Sequence, residues 1–214
     1  DDAMVYTIAS NQVNAIRYMK AVRTLVVGTT GGEFTVSADG TDASITPTNI
    51  TIKRQSSFGS ANVDAIPAGN AILFLQKAKR KIRELQYNFD SDGYQAPDLT
   101  ILNETVTDSG INEMSFQQEP GSNIWCVRDD GVLACLTYQR SENVIAWSRH
   151  IFGGAFGSGK AVCESVASIS GVLTEDEVWV IVKRTINGAT KRFVECFSDF
   201  DFDETSATSF KFLD

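Results

Sequence analysis

The most specific catalytic pattern in the sequence is the glycine-rich stretch GAFGSGKA, from Gly154 to Ala161. It matches the phosphate-binding pattern G-x-x-x-x-G-K, but Ala161 stands where a Ser or Thr hydroxyl would ligate Mg²⁺. A phosphate loop also opens a helix, whose N-terminal N–H groups hold the phosphates. The residues that follow here, AVCESVASISG, read instead as a strand and a turn. We therefore interpret the stretch as a flexible glycine-rich connection.

Two acidic clusters raise the question of calcium. Asp90 and Asp92 lie in FDSDG, and a second cluster, DFDFDE, contains Asp199, Asp201, Asp203 and Glu204. A calcium loop needs oxygen ligands at alternate positions and a more distant Glu, which the first cluster lacks. We interpret the first as an Asx-rich turn and the second as a solvated boundary or a severed strand. The sequence predicts neither a metal site nor a cofactor.

Acid–base or nucleophilic catalysis has few candidates. His150 is the single histidine, and no Cys or second His lies near it at ligand spacing. Arg83 with Glu84, or Arg140 with Glu142, are candidates for the charged catalytic groups of a propeller glycosidase. Nothing distinguishes these residues from ordinary surface charges, so we expect no enzyme and assign no catalytic residue.

Two further residue types, tryptophan and asparagine, have a structural and a functional interpretation. Trp125, Trp147 and Trp179 could stack on sugars, but they lie beside apolar strand positions, which favours packing. Asn49 and Asn103 match N-glycosylation acceptors, which we interpret as chance matches.

The four cysteines do not match a zinc pattern, because Cys126, Cys135, Cys163 and Cys196 are separated by 9, 28 and 33 residues. Cys126 and Cys135 fall on neighbouring predicted strands, so a disulfide between them is possible. Free core thiols are the favoured alternative.

Short apolar runs separated by turn residues predict an all-β chain built from a repeat. The strongest strands are LVVGT, AILFLQ, IWCVR and VWVIVKR, and the strands predicted to follow them are EFTVS, KIRELQY, VLACLTY and TKRFVECF. The intervening turns are TGGE, KAKR, DDG and ING. Asp-Gly and Asn-Gly favour type I′ hairpin turns, in which both central residues have positive φ.

A weaker strand precedes each hairpin, and its starts, Val13, Val63, Ile111 and Val162, lie 50, 48 and 51 residues apart. A fourth strand is predicted after three hairpins, in NITIKRQS, DLTILNE and NVIAWSRH. Each unit is therefore a four-stranded antiparallel meander of about 50 residues, the size of a propeller blade. The blades run over 11–60, 61–108, 109–157 and 158–204, within one propeller-like domain at 1–214. Four blades could close alone or belong to a larger ring.

The segment 71–89 also fits a helix, since Ile72, Leu75, Ile82, Leu85 and Phe89 recur near every 3.6 residues. Its Lys, Arg, Glu and Leu content favours a helix as well. Register with the other hairpins favours two strands, which we predict.

The net charge of −8 opposes a groove that grips nucleic acid through its phosphates. A surface past which DNA must slide without sticking would benefit from negative charge. No apolar run is long enough to span a membrane. The chain begins with the acidic stretch DDAMVYTIAS, without an initial Met or a signal peptide, and we expect it to be a fragment of a longer protein.

Several long stretches resemble a bacteriophage and prophage tail protein family. The carriers are VNAIRYMKAVRTLVVGTTGGEFTVS, ITPTNITIKRQSSFGS, GNAILFLQKAKRKIRELQYNFDSDGYQAPDLTIL, MSFQQEPGSNIWCVRDDGVLACLTY and DEVWVIVKRTINGATKRFVE. They cover most of the chain between Val13 and Glu195. The family is similar to the tubular tail or nozzle proteins of short-tailed phages and to related hub proteins.

The resemblance implies a structural role in the virion tail, in a protein made in the bacterial cytoplasm. Copies would form a ring around the tail axis, contact adaptor, portal and tail fibre proteins, and enclose the DNA-ejection conduit without binding DNA specifically. It carries over no catalytic residue. The alternatives are a carbohydrate- or receptor-binding propeller of a tail tip and, third, a propeller glycoside hydrolase.

Overall fold

The computed structural model describes residues 5–8, 14–39, 44–171 and 175–198, and these residues are all-β. The chain divides into two compact units, Asp1–Leu102 (unit 1) and Asn103–Asp214 (unit 2). Each unit contains two antiparallel meanders, because the strands of each sheet pair in chain order. Among the described residues, no helix has the length and apolar character needed to cross a bilayer.

Unit 1 begins with a four-stranded meander of β1 (Ile16–Ala21), β2 (Leu25–Thr29), β3 (Gly32–Ala38) and β4 (Ile50–Ser56). The second meander consists of β5 (Ile66–Ala68), β6 (Ala71–Leu75), β7 (Ile82–Asn88) and β8 (Gly93–Gln95). The predicted strands LVVGT, EFTVS and NITIKRQS are confirmed as β2, β3 and β4. The hairpin prediction for 71–89 is confirmed by β6 and β7, and the helical alternative is wrong.

Two strand predictions in unit 1 differ from the structure. The weak strand predicted to start at Val63 begins only at Ile66, as β5, whereas Val13, the predicted start of the first weak strand, lies outside the described residues. DLTILNE, at 98–104, does not form the fourth strand of the second meander, and β8 takes that place. The Asp98 side chain accepts hydrogen bonds from the Thr100 amide at 2.9 Å and the Thr100 hydroxyl at 2.5 Å. Such a local bond from an Asp side chain closes an Asx turn, which ends the extended backbone. The segment continues through turns to a 3-10 helix at Glu104–Val106.

Unit 2 contains a four-stranded meander of β9 (Ile111–Gln117), β10 (Asn123–Arg128), β11 (Leu133–Gln139) and β12 (Val144–His150). A small hairpin follows, formed by β13 (Ala155–Phe156) and β14 (Gly159–Lys160). The last described sheet has three strands, β15 (Val162–Ile169), β16 (Glu177–Ile186) and β17 (Ala189–Cys196). A second 3-10 turn, Arg140–Glu142, links β11 to β12. The predicted strands of this half are confirmed.

The Asn187-Gly188 and Asp130-Gly131 turns of unit 2 differ in backbone geometry. Asn187 and Gly188 both have positive φ, 51° and 76°, so the predicted type I′ geometry fits the β16–β17 hairpin. The prediction is wrong for Asp130-Gly131, where Gly131 alone has a positive φ, 80°. There the four residues 129–132 connect the strands, and the Gly131 amide donates to the Arg128 carbonyl at 3.0 Å.

An apolar core lies between the two meanders within each unit. In unit 1, Tyr18 and Val26 of the first meander pack against a buried apolar set from the second: Ala65, Ile72, Phe74 and Leu85. In unit 2, Trp125 and Leu133 of one meander pack against Val178, Val180 and Val182 of the other. Each sheet therefore stabilises its neighbour by covering one of its apolar faces.

The central strands are buried on both faces. All five residues of β6 are buried, as are Ile124 through Arg128 of β10. Successive strand residues point to opposite faces, so a continuous buried run requires cover on both sides.

Candidate functional site

The stretch Gly154–Ala161 forms the β13–β14 hairpin and not a phosphate-binding loop. Gly157, with a φ of 60°, provides its turn, and the Gly157 amide donates to the Thr185 hydroxyl at 3.0 Å. Strand β15 follows directly, so no helix N-terminus faces the glycines. The sequence predicted a glycine-rich connection here and did not predict the hairpin that the structure has.

Asp90 and Asp92 lie exposed in the turn between β7 and β8. The turn is organised by Asn88, whose side-chain oxygen accepts the Ser91 amide at 3.1 Å, and the Asp92 carboxylate accepts the Tyr87 hydroxyl at 2.5 Å. The predicted polar turn is present, but its side-chain-to-backbone bond comes from Asn88 and reaches three residues on, one more than in an Asx turn. Within the described ranges, no group of three or more His, Cys, Asp or Glu side chains is placed to hold a metal ion. The second acidic cluster, Asp199 to Glu204, lies outside the described residues.

The two arginine–glutamate pairs lie in different environments. Glu84 is fully buried, whereas Arg83 on the opposite face of β7 donates to the Ala96 carbonyl and the Gln76 side chain, each at 2.7 Å. The Arg83 guanidinium also lies 3.5 Å from the centre of the Phe58 ring. Arg140 and Glu142 are exposed in the 3-10 turn after β11.

His150 ends β12 beside an aromatic cluster. Its ring centre is 4.9 Å from that of Trp125 and 6.1 Å from that of Phe197, and burial lowers the pKa of the imidazole. His150 Nε2 is 3.1 Å from the Ser148 hydroxyl. A serine–histidine pair needs a further group to orient the imidazole and donors for an oxyanion, and the aromatic neighbours of His150 supply neither.

The three tryptophans differ in exposure. Trp125 is 7% exposed and donates its indole N–H to Gln117 at 3.0 Å, whereas Trp147 and Trp179 are half-buried. The packing role predicted for all three tryptophans is therefore confirmed for Trp125 alone, because only Trp125 is buried.

The two potential glycosylation acceptors lie in turns. The Asn49 amide nitrogen donates to the Ser44 carbonyl, and the Asn103 carbonyl accepts the Val106 amide.

All four cysteines are free thiols, as favoured from the sequence, and three of them are buried. In the β10–β11 register Trp125 lies opposite Cys135 and Cys126 lies opposite Ala134. Cys126 and Cys135 therefore point to opposite faces of the sheet, which explains why they do not bridge.

A cleft of about 510 Å³ lies in unit 1, and we call it the tyrosine groove. Its polar lining comes from Arg23, Asn70, Gln86, Tyr87 and Tyr94. Three connections bring these residues together: the β1–β2 turn, the β5–β6 turn and the β7–β8 hairpin. The volume lies within the roughly 300–1,000 Å³ typical of small-molecule sites.

The two tyrosines of the groove are a cross-strand pair. Tyr87 of β7 lies directly opposite Tyr94 of β8, with ring centres 5.6 Å apart and planes at 71°. The Tyr94 ring packs against the unit 1 core, and its hydroxyl lies 3.0 Å from the Thr24 hydroxyl. Core packing and hydrogen bonds from both ends therefore hold the tyrosines in place.

Charge in the groove comes from Arg23, whose guanidinium carbon lies 4.7 Å from the centre of the Tyr87 ring. The hydrogen bond to Asp92 raises the pKa of the Tyr87 phenol, so this hydroxyl stays protonated. Asn70 follows Gly69, whose φ of 60° suits the first central position of a two-residue β turn. The groove thus presents one cation, two neutral amides and two aromatic rings.

No sequence motif indicates this groove. Its residues come from turns up to 71 positions apart, and each of them reads locally as an ordinary turn or strand residue. The one available signal was the pair of tyrosines flanking the acidic turn. Neither a scan of protein-family models nor a search of curated proteins finds a match to this chain.

Proposed function

We propose that this chain is a structural component of a phage virion tail, a wall segment of the tail tube, nozzle or hub through which DNA is ejected. The observation that carries the proposal is the recurrence of antiparallel meanders about every 50 residues, three of them four-stranded. The sequence resemblance between Val13 and Glu195 supports the same role. Repeated sheets that cover one another's faces form a stiff wall with few open edges.

We further propose that the meanders are blades of a β-propeller, closed within this chain or forming part of a larger ring. Both faces of β6 and β10 are buried, as stacked blades require. Repetition of one unit also suits a ring of copies around a tail axis, because each unit needs contacts only with its neighbours.

The charge balance supports a conduit more than a binding groove for DNA. A net charge of −8 repels phosphates, so DNA would pass a wall of this composition without adhering to it. The expected partners are other copies of the chain and the adaptor, portal and fibre proteins of the tail. A basic lumen in the assembled ring would contradict the charge argument.

The test is to purify phage particles from the bacterium that carries the gene and to identify their proteins by mass spectrometry. We expect peptides of this chain in particles at a ratio to portal protein that stays constant through a density gradient. An in-frame deletion is expected to leave DNA-filled heads without complete tails, as seen by negative-stain electron microscopy. Intact infectious particles that lack the protein would overturn the proposal, and so would its absence from purified virions.

A further inference from the structure

We propose that the tyrosine groove binds a sugar that carries a carboxylate, such as a uronic or sialic acid. This inference rests on the groove itself and holds whether or not the chain belongs to a virion tail. It requires a surface for the sugar ring, a partner for the carboxylate and donors and acceptors for the hydroxyl groups.

The tyrosine pair provides the surface for the ring. Sugars present C–H groups on one face and hydroxyls at the edge, and an aromatic side chain with a polar tip matches both. Tyr87 and Tyr94 are half-buried, so their rings remain accessible. Because Tyr94 is fixed by the core and by Thr24, little conformational entropy is lost when a ligand settles on it.

Arg23 provides the partner for the carboxylate. Its guanidinium lies over the Tyr87 ring, so its N–H groups remain at the edge of the planar group. Two parallel N–H donors match the two oxygens of a carboxylate, a geometry that lysine cannot offer. Contact with Tyr87 also restrains the long Arg23 side chain before a ligand arrives.

Asn70 and Gln86 provide donors and acceptors for hydroxyl groups. Both side chains are exposed at the groove, and each amide offers a carbonyl oxygen and an NH₂ group. Neutral amides recognise hydroxyls without adding charge, which leaves Arg23 to select for one negative charge.

The same composition argues against phosphate-rich ligands. A nucleotide or polyphosphate site gathers several cations or a glycine-rich turn at a helix N-terminus. Arg23 is the single cation of the groove lining, and the hydroxyl of the lining residue Tyr87 donates to the Asp92 carboxylate. A ligand with one carboxylate on a neutral ring therefore matches the single positive charge of the groove better than a multiply charged ligand does.

The experiment uses the 214-residue chain and pairs of methyl glycosides. Glucuronide is paired with glucoside, galacturonide with galactoside, and methyl N-acetylneuraminide with its methyl ester, so that each pair differs in the carboxylate. Saturation-transfer NMR and calorimetry should detect saturable binding of at least one acid, with a dissociation constant on the order of 1 mM. Its uncharged counterpart should bind at least about tenfold more weakly, a difference of about 1.4 kcal/mol.

Two variants locate the binding. Arg23→Gln should abolish the preference for the acid, and Tyr87→Ala should abolish binding of both members of the pair. Lys53→Gln, which removes one exposed cation from β4 outside the groove lining, should change neither. Circular dichroism should confirm that each variant is folded.

Three results would overturn the proposal. They are the lack of saturable binding for every acid tested, equal binding of acids and their uncharged counterparts, and equal weakening by Lys53→Gln and Arg23→Gln. The last result would indicate general attraction to positive charge and not a site.

Discussion

The ring of Tyr18 in β1 occupies the space above Gly28, its direct partner in β2, so that a Cβ atom at residue 28 would lie 2.1 Å from the ring. Tyr18 is 4% exposed and its ring centre is 6.1 Å from that of Phe74 in the second meander. The glycine thus allows an aromatic side chain to fold over its own sheet and reach the core of unit 1.

We expect Gly28→Ala to destabilise the protein by about 1–3 kcal/mol, because the added methyl group forces the buried ring from its position. Urea unfolding followed by circular dichroism measures the loss. Gly93→Ala is the matched control in the same unit, since its nearest contact would be an ordinary 3.6 Å. Equal stability of the two variants would contradict the packing argument.

Arg128 is a buried cation that links two parts of unit 2. It hydrogen-bonds both to residues 106–108, at the end of the first 3-10 helix, and to the β10–β11 turn. Its guanidinium donates to Asp108 at 3.0 Å, to Asp130 at 2.6 Å and to the Val106 carbonyl at 2.5 Å, while the Arg128 side chain is only 5% exposed. Because lysine cannot reproduce this fork of donors, Arg128→Lys should leave a buried carbonyl unpaired.

We expect Arg128→Lys to cost about 1–3 kcal/mol of unfolding free energy. Hydrogen exchange should show faster exchange at Val106, Thr107 and Gly110, whose amides donate within this segment. Arg149→Lys, at an exposed position on β12, should lie within about 0.5 kcal/mol of the original chain. Unchanged exchange in Arg128→Lys would mean that the backbone turns hold the segment without the guanidinium.

The strand order was largely predictable from the sequence, because alternating apolar residues and turn signals are local. The β16–β17 hairpin illustrates this, since Asn187-Gly188 specifies its own turn. The type I′ prediction for Asp130-Gly131 is wrong because the Asp130 carboxylate accepts hydrogen bonds from Arg128 at 2.6 Å and from the Val132 amide at 3.2 Å, so side-chain bonds within the turn override the dipeptide preference.

Strand β8 and the tyrosine groove could not be predicted for a related reason. Asp98 turns the chain through a bond to Thr100, and no period in 98–104 reveals that bond. The groove depends on which turns lie side by side, and that follows from sheet packing in unit 1 and not from any local pattern.

Glu33 makes the stability of the protein depend on pH. Its carboxylate is fully buried and accepts hydrogen bonds from Ser60, at 2.7 Å, and from Ser56. Burial outweighs these bonds and raises the pKa of Glu33 above its ordinary 4.5. The folded state therefore binds the proton more tightly than the unfolded state, so this contribution is present at low pH and is lost as the pH rises from 4.5 through the raised pKa.

We expect Glu33→Gln to remove that loss. The difference in unfolding free energy between the original chain and the variant should shift in favour of Glu33→Gln as the pH rises from 4 to 8. Both proteins share the other carboxylates, such as Asp98, whose pKa is lowered. Comparing the two proteins at each pH therefore removes the contribution of those carboxylates to the pH dependence of the unfolding free energy. A difference that stays constant over this range would contradict the raised pKa.

Glu164, which binds both Arg192 and Lys183 on the β15–β17 sheet, should affect stability in the opposite way as the pH changes. Hydrogen bonds from Arg192 and Lys183 lower the pKa of Glu164 to about 2, so its contribution is present above the ordinary pKa of 4.5 and is lost as the pH falls towards 2. Because Arg192 is well exposed, we expect Glu164→Gln to cost less than about 1 kcal/mol at pH 7. The cost should shrink in 1 M salt, whereas a cost that is independent of salt would indicate packing.

Thiol reactivity should separate Cys196 from the other three cysteines. Cys196 is exposed, whereas burial raises the pKa of Cys135 to about 12 and that of Cys163 to about 11, and Cys126 is fully buried. Thiolates react and protonated buried thiols do not. Ellman's reagent should therefore modify one thiol of the native protein quickly and all four in guanidinium, and Cys196→Ser should abolish the fast phase. Any fast thiol in that variant would show that a core strand opens on the timescale of the assay, and would contradict the burial on both faces that stacked sheets require.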